Sequence, residues 1–115
     1  MKNIVKEKSL DFAIRIVNLY KYLTDSKKEF IMSKQLLRSG TAIGALVRES
    51  EHAESKADFI HKLSVALKEA NETDYWLELL YRTEYLTEKQ YQSINENIIK
   101  LLKLLTSIIK TSKNN

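Results

Sequence analysis

Apolar residues recur at every third or fourth position along four stretches of the chain, which places them on one face of an α-helix in each stretch. The stretches cover about residues 9–23, 27–51, 56–86 and 88–111, and residues 112–115 are expected to fray. The connections between them are short, which favours antiparallel neighbours. The pattern therefore predicts an all-α fold, an antiparallel up-down four-helix bundle that forms one domain over residues 1–115.

Helix-start signals precede three of the stretches. Ser26 with Glu29, and Thr87 with Gln90, have the spacing of a capping box, in which each side chain satisfies a backbone N–H of the other residue. Ser55 is a weaker candidate cap before the third stretch. These signals predict that the second helix begins at about residue 27 and the fourth at about residue 88.

The second and third helices have matching apolar stripes. If they form a hairpin that turns near residues 54–56, facing positions have residue numbers that add to about 110. Gly44 then faces Ala66, and Gly40 faces Ala70. Because glycine disfavours a helix by about 1 kcal/mol relative to alanine, two glycines one turn apart indicate a close helix crossing. The same register places Arg38 opposite Glu72, with Glu69 one turn away, which predicts an ion pair.

The first and fourth helices have more apolar surface than a bundle core needs. The fourth helix has an apolar arc of about 220°, formed by Ile98, Ile99, Leu101, Leu102, Leu104, Leu105, Ile108 and Ile109. On the first helix, Ile14 and Val17 leave the main stripe. A second copy of the chain would cover this surplus, so we expect a homo-oligomer. An anionic membrane surface is the alternative, but the core already needs the fourth helix.

The composition excludes several classes of protein. The sequence has no cysteine, no proline and two glycines, which rules out a disulfide framework, thiol catalysis and a cysteine-ligated zinc. No apolar run reaches about 18 residues, so no membrane partner is expected. The N-terminal stretch lacks the apolar segment of a signal peptide, so we expect a cytoplasmic protein.

The charge is distributed unevenly along the chain. Residues 1–48 have a net charge of +6, residues 49–96 of −6, and residues 97–115 of +4. One interpretation is mutual neutralisation between packed helices, and the other is a basic surface for RNA or another polyanion. The candidate nucleic-acid-binding residues are Lys2, Lys6, Lys8, Arg48, Lys100, Lys103, Lys110 and Lys113.

Aromatic residues fall in one half of the predicted bundle. They are Tyr20, Tyr22, Phe30, Tyr75, Trp76, Tyr81, Tyr85 and Tyr91. An aromatic core layer with hydroxyls at its rim explains them. A stacking platform for unpaired bases is the alternative, with Lys27, Lys28, Lys34 and Arg82 nearby, but several acidic residues in the same half disfavour it.

Both histidines lie near the opposite end of the bundle. Glu49 and His52, and Asp58 and His61, have the carboxylate-x-x-histidine spacing by which bundles present metal ligands. A di-iron site also takes carboxylates from the other two helices, and these offer only Glu7 near this end. We therefore expect no metal site, no cofactor and no enzymatic activity.

The chain resembles the 23S rRNA intervening-sequence protein family over about residues 9–108. The resemblance rests on residues 35–45 (QLLRSGTAIGA), Glu49, residues 55–59 (SKADF) and residues 66–77 (ALKEANETDYWL), with Phe12, Ala13 and Leu23 near the start. Two positions depart from the family pattern, because Ala42 stands where serine is common and Leu46 where asparagine is common.

The resemblance implies a small four-helix bundle without catalytic residues that assembles into a ring-shaped homo-oligomer, typically a pentamer. Some members are encoded within inserts in rRNA genes. A more distant relative is a basic pentameric accessory protein that binds nucleic acid and a reverse transcriptase, so RNA, a reverse transcriptase or another protein are the expected partners. Two hypotheses stay open: a nucleic-acid-binding oligomer, and an oligomeric protein-binding scaffold with no nucleic-acid role.

Overall fold

Over residues 3–115 the protein consists of four α-helices, as expected for an all-α bundle. A computed structural model describes residues 3–115, and its helices are α1 (Ile4–Asp25), α2 (Met32–Ser50), α3 (Lys56–Arg82) and α4 (Glu88–Lys113). Each helix packs on its neighbours in chain order and α4 returns to α1, so the four surround one apolar core. The bundle measures 46 × 23 × 20 Å. Within residues 3–115, no helix is long and apolar enough to cross a membrane.

The start signals of α3 and α4 are confirmed. The Ser55 hydroxyl accepts the N–H of Asp58 at 3.0 Å. At Thr87, the hydroxyl accepts the N–H of Gln90 at 3.1 Å, and the Gln90 amide oxygen accepts the N–H of Thr87 at 2.9 Å. Local sequence therefore decides where these two helices begin.

Helix α1 begins at Ile4 rather than near residue 9. The Asn3 side chain accepts the N–H of Lys6 at 3.1 Å and so caps the additional turn. Val5 and Ser9 are buried, so the added turn packs on the bundle. Three of the five added residues, Lys6, Glu7 and Lys8, are charged. They weaken the apolar periodicity, which explains the later start predicted from sequence.

Helix α2 begins at Met32, so the predicted start at about residue 27 with Ser26 as cap is wrong. The carboxylate of Glu29 accepts the backbone N–H groups of residues 31–33 at 3.2, 3.1 and 2.7 Å. Burial alone would raise the pKa of Glu29, but these hydrogen bonds outweigh it and hold the pKa below its ordinary value. A buried carboxylate thus replaces the expected serine cap.

Helix α3 ends at Arg82, four residues before the predicted end at 86. The N–H of Tyr85 bonds to the carbonyl of Leu80 at 2.9 Å, and the N–H of Glu84 to that of Tyr81 at 3.0 Å, which is a Schellman motif. Glu84 takes the left-handed conformation with φ +69° that glycine usually supplies. Without a glycine, the sequence contained no stop signal.

Helix α4 continues past residue 111 to Lys113, so the first half of the expected frayed tail is helical. The N–H of Asn114 bonds to the carbonyl of Lys110 at 3.2 Å and closes the helix. Lys56, in the first turn of α3, donates its ammonium to the carbonyl of Asn115. The chain end is therefore held against the start of α3.

The predicted antiparallel register of α2 and α3 is confirmed. The Thr73 hydroxyl lies 3.0 Å from the Ser39 hydroxyl in the buried seam. The two residue numbers add to within two of the predicted sum of 110. Near the other end of the pair, Lys62 contacts Glu49 at 3.3 Å.

Gly40 and Gly44 do not face the alanines of α3, so that part of the prediction is wrong. A methyl group added at Gly40 would lie 2.8 Å from the Ile16 side chain, and one added at Gly44 would lie 3.3 Å from the Ser9 carbonyl oxygen. Both contact residues belong to α1. The glycines therefore bring α1 close to α2, while the α2–α3 seam contains the Ser39–Thr73 pair.

The predicted ion pair of Arg38 is confirmed. Its guanidinium contacts the carboxylate of Glu69 at 3.3 Å and that of Glu72. The indole N–H of Trp76 donates to Glu72 at 3.0 Å, and this bond, with the guanidinium, lowers the pKa of Glu72. Arg38 is therefore neutralised on the α2–α3 face.

Candidate nucleic-acid interface

The seam between α1 and α4 is the most open of the four seams of the bundle. Two depressions lie along it. One is lined by Lys8, Asp11, Phe12, Arg15, Asn97, Lys100 and Leu101. The other, nearer the α1–α2 connection, is lined by Arg15, Asn18, Leu19, Tyr22, Lys89, Gln90, Ser93 and Ile94. We call these the lower and the upper depression.

Arg15 separates the two depressions and bridges the helices. Its guanidinium donates to the Ser93 hydroxyl at 3.0 Å, to the Ser93 carbonyl at 3.3 Å, and to the Asn97 side-chain oxygen. These acceptors are neutral, so the bridge leaves the positive charge of Arg15 uncompensated by a carboxylate. The contacts fix the position of that charge in the middle of the seam.

The seam is predominantly basic. Lys8, Lys89 and Lys100 are exposed along its rims, and no carboxylate in the described part of the chain forms a salt bridge with them. Asp11 is the one acidic side chain among the described residues that line either depression. A row of exposed cations along this seam, with Arg15 held by hydrogen bonds, is suited to a polyanion.

Helical spacing explains why these residues share the seam. Lys8, Arg15 and Tyr22 follow one another at seven-residue intervals on α1, so they lie on one face. Ser93 and Asn97 on α4 are four residues apart, and Lys100 follows three later. Arg15 and Lys89 were missed from sequence, although the heptad spacing from Lys8 was a signal that could have found Arg15.

The structure distributes the predicted basic residues over several places. Lys8 and Lys100 line the lower depression together, whereas Lys6 contacts Glu51 at 3.2 Å. Lys2 lies outside the described residues. The others are exposed: Arg48 in the last turn of α2, Lys103 in the middle of α4, and Lys110 and Lys113 in its last turn.

The four weak metal candidates do not form a ligand set. Glu49 contacts Lys62 rather than His61, and Asp58 accepts the backbone N–H of Glu54 at 3.2 Å. His52 and His61 are exposed. Over residues 3–115, no three histidine, aspartate or glutamate side chains lie close enough together to hold a metal ion.

Four of the eight aromatic residues in the aromatic half form two ring pairs. Tyr81 and Tyr91 stack with centroids 4.5 Å apart, and Tyr75 meets Trp76 edge-on at 5.0 Å. Burial, with a smaller contribution from nearby acidic groups, raises the pKa of Tyr91. The geometry favours the core-layer interpretation, while Tyr75 and Phe30 stay exposed. Lys27 and Arg82 share a shallow depression there, but Arg82 contacts Glu78 at 3.0 Å.

A comparison with protein families gives a match over residues 1–107 to the 23S rRNA-intervening sequence proteins. The chain belongs to this family. No curated protein matches it.

Among solved structures, this member of the 23S rRNA-intervening sequence protein family is similar to a protein of unknown function from the S23 ribosomal protein family of Bacteroides thetaiotaomicron. The two share 68% sequence identity with a TM-score of 0.91, over 92% of this chain and 98% of that one. The family membership and the bundle expected from the resemblance are therefore confirmed.

Proposed function

We propose that the protein is a non-catalytic homo-oligomer that binds RNA along the α1–α4 seam. The observation that carries the proposal is the open seam with four cationic side chains, which are Lys8, Arg15, Lys89 and Lys100. Among polyanions we choose RNA, which is the nucleic-acid partner that the family resemblance implies.

The distribution of charge around the bundle supports this location. Helix α4 has five lysines and two glutamates, and its last acidic residue is Glu96. Helix α3 has more acidic than basic residues, and Arg38 on the neighbouring α2 is neutralised. The net charge is +4 for α1 and α4 together and +1 for α2 and α3 together. A polyanion is therefore attracted more strongly to the α1–α4 side.

The salt dependence of RNA affinity tests the proposal. With about four phosphate contacts, counterion release predicts that affinity for a single-stranded RNA falls roughly 50-fold between 50 and 200 mM salt. The double variant Lys89→Glu/Lys100→Glu should lose at least about tenfold in affinity at low salt and show a shallower salt slope. Fluorescence anisotropy with a labelled oligonucleotide measures both quantities.

A matched variant controls for total charge. Lys27→Glu/Lys34→Glu makes the same change in net charge at exposed lysines near the α1–α2 connection, and should retain most of the affinity. If the control loses more affinity than Lys89→Glu/Lys100→Glu, the interface lies at the aromatic end. If the unchanged protein binds no RNA at low salt, the RNA-binding proposal is wrong.

Self-association is the second part of the proposal, and exposed apolar side chains on α1 support it. Leu10 is 48% exposed and Ile14 is 52% exposed, and they lie one turn apart. On α4, most of the broad apolar arc packs against the core, and Ile99 is its exposed large member at 38%. The surplus is therefore concentrated on α1, and a second copy of the chain would cover it. We propose that the oligomer is the pentamer that the family resemblance implies.

Changing Ile14 to glutamate should dissociate the oligomer and leave the helix content unchanged. Buried in a subunit interface, the new carboxylate would be desolvated without a partner, which costs several kcal/mol. Light scattering measures the mass and circular dichroism the helicity. Leu104→Glu, in the apolar arc of α4, should instead destabilise the fold because Leu104 is half-buried against the core.

Ile99→Glu is the matched control on α4. If Ile99→Glu lowers the mass of the oligomer while Ile14→Glu leaves that mass unchanged, the subunit interface lies on α4 instead of α1. A monomeric mass for the unchanged protein would contradict self-association altogether.

A protein-binding scaffold is the second candidate function, and the connection between α1 and α2 favours it. Phe30 is 59% exposed and Ile31 is 79% exposed, side by side at the end of the bundle. The Glu29 hydrogen bonds hold this backbone in place. Two results together would support the scaffold function. The oligomer would bind no RNA, and the double variant Phe30→Ser/Ile31→Ser would no longer bind a protein partner that the unchanged oligomer binds.

A further inference from the structure

The upper depression has properties that a phosphate site does not need. Its volume is about 520 Å³, within the range of about 300–1,000 Å³ typical of small-molecule sites. Leu19, Tyr22 and Ile94 line it with apolar and aromatic surface. Arg15 and Lys89 lie at its edges.

We propose, on the basis of the RNA-binding function above, that the upper depression takes an unpaired nucleobase from a single RNA strand. The base would lie against Tyr22 and Leu19, while the flanking phosphates contact Lys89 and, further along the seam, Lys100. The class of ligand is thus single-stranded RNA, and the lower depression receives the backbone of the same strand.

The polar groups at the rim fit the edge of a base. Gln90 uses its amide oxygen to accept the N–H of Thr87, which leaves its amide NH₂ directed away from that bond and able to donate. Asn18 is exposed and offers both a donor and an acceptor. Because bases present donors and acceptors side by side on their edges, two side-chain amides match them.

A double helix cannot use this site in the same way. In a duplex the faces of the bases are covered by stacking, so only phosphates and sugars would reach the apolar floor. An unpaired base has a free π-face, and aromatic side chains bind such faces with little sequence preference. The apolar floor therefore selects single strands over duplexes.

Three ligands test the base site: two single strands with equal numbers of phosphates separate base binding from charge, and a duplex with about twice as many phosphates tests strand selectivity. They are a labelled twelve-nucleotide single-stranded RNA, its duplex with the complementary strand, and a twelve-unit abasic ribose-phosphate strand. The single strand should bind at least about tenfold more tightly than the abasic strand, since one stacked base contributes that much. The duplex should bind more weakly than the single strand.

Substitutions in the depression should remove the base-dependent part of the affinity. Tyr22→Ala, and Tyr22→Leu as a variant that keeps more of the packing, should bring RNA affinity close to that of the abasic strand without changing abasic binding. Asn18→Ala, at an exposed position, should weaken RNA binding by a few fold. Tyr75→Ala, an exposed tyrosine on α3 outside the seam, is the control and should change neither affinity.

The outcomes separate this inference from the function on which it rests. If the unchanged protein binds the RNA strand and the abasic strand equally, or binds the duplex as tightly as the single strand, the base site is wrong and RNA binding stands. Equal losses on both strands in the Tyr22 variants would also contradict the base site. If none of the three ligands binds at low salt, the proposed function fails as well.

Discussion

Replacing Gly40 by leucine should lower the free energy of unfolding by about 3 kcal/mol, the upper end of the usual range for overpacking. Even a methyl group at this position would lie 2.8 Å from the Ile16 side chain. Ile16 is fully buried, so it has no free space to move into. Urea denaturation, followed by circular dichroism, measures the change in stability.

A double-mutant cycle tests which helix Gly40 contacts. Gly40→Ala and Ile16→Ala should each destabilise the protein, and the double variant should lose at least about 1 kcal/mol less than their sum, because the smaller residue 16 makes room for the methyl group. Ala45→Leu, at an exposed position of the same helix, should change stability by no more than about 0.5 kcal/mol. Relief by Ala70→Gly instead of Ile16→Ala would show that α3, not α1, packs on the glycine.

Replacing Glu29 by alanine should lower the free energy of unfolding by about 2 kcal/mol, typical of hydrogen bonds to a charged group. The carboxylate accepts three backbone N–H groups, and the substitution leaves the start of α2 without its cap. For a protein of 115 residues, thermal denaturation should show the melting temperature falling by roughly 4 °C per kcal/mol.

The contribution of Glu29 should depend on pH in a defined direction. Because folding lowers the pKa of Glu29 from its ordinary value of 4.5, its stabilisation is present above that value and is lost as pH falls through the folded pKa. The stability difference between the unchanged protein and Glu29→Gln should therefore shrink as the pH falls from above 4.5 through the lowered pKa of the folded protein.

Ser26→Ala is the matched control for Glu29, because sequence alone assigns the cap to Ser26. We expect it to change stability by less than about 0.5 kcal/mol. A larger loss from Ser26→Ala than from Glu29→Ala would contradict the observed start of α2.

The helix ends show which boundaries can be predicted from local sequence. At Ser55 and Thr87 the capping side chain and the N–H groups it satisfies lie within three residues, so short-range spacing is sufficient. At Glu29 the N–H groups lie only two to four residues away, but glutamate is not among the residues that N-cap rules favour, so those rules select Ser26 instead. Lys28 and Glu84 take left-handed conformations that sequence rules assign to glycine.

The candidate interface was predicted only in part. The excess of lysine near the C-terminus indicated a basic surface, and Lys8 and Lys100 do line the same depression. Arg15 and Lys89 were missed because which face of α1 meets α4 depends on how the helices are rotated in the bundle. The upper depression, whose apolar lining comes from both helices, has no counterpart in a single stretch of sequence.

The sequence by itself determined the number of helices, their antiparallel order, the register of α2 on α3 and the ion pair of Arg38. Each follows from periodicity or from spacing along the chain, which depend on backbone geometry alone. Only the tertiary structure decided that Gly40 and Gly44 face α1 and that the α1–α4 seam is open. These features depend on the rotation of each helix about its axis and on the distance between helices, which are set by the packing of all four helices together.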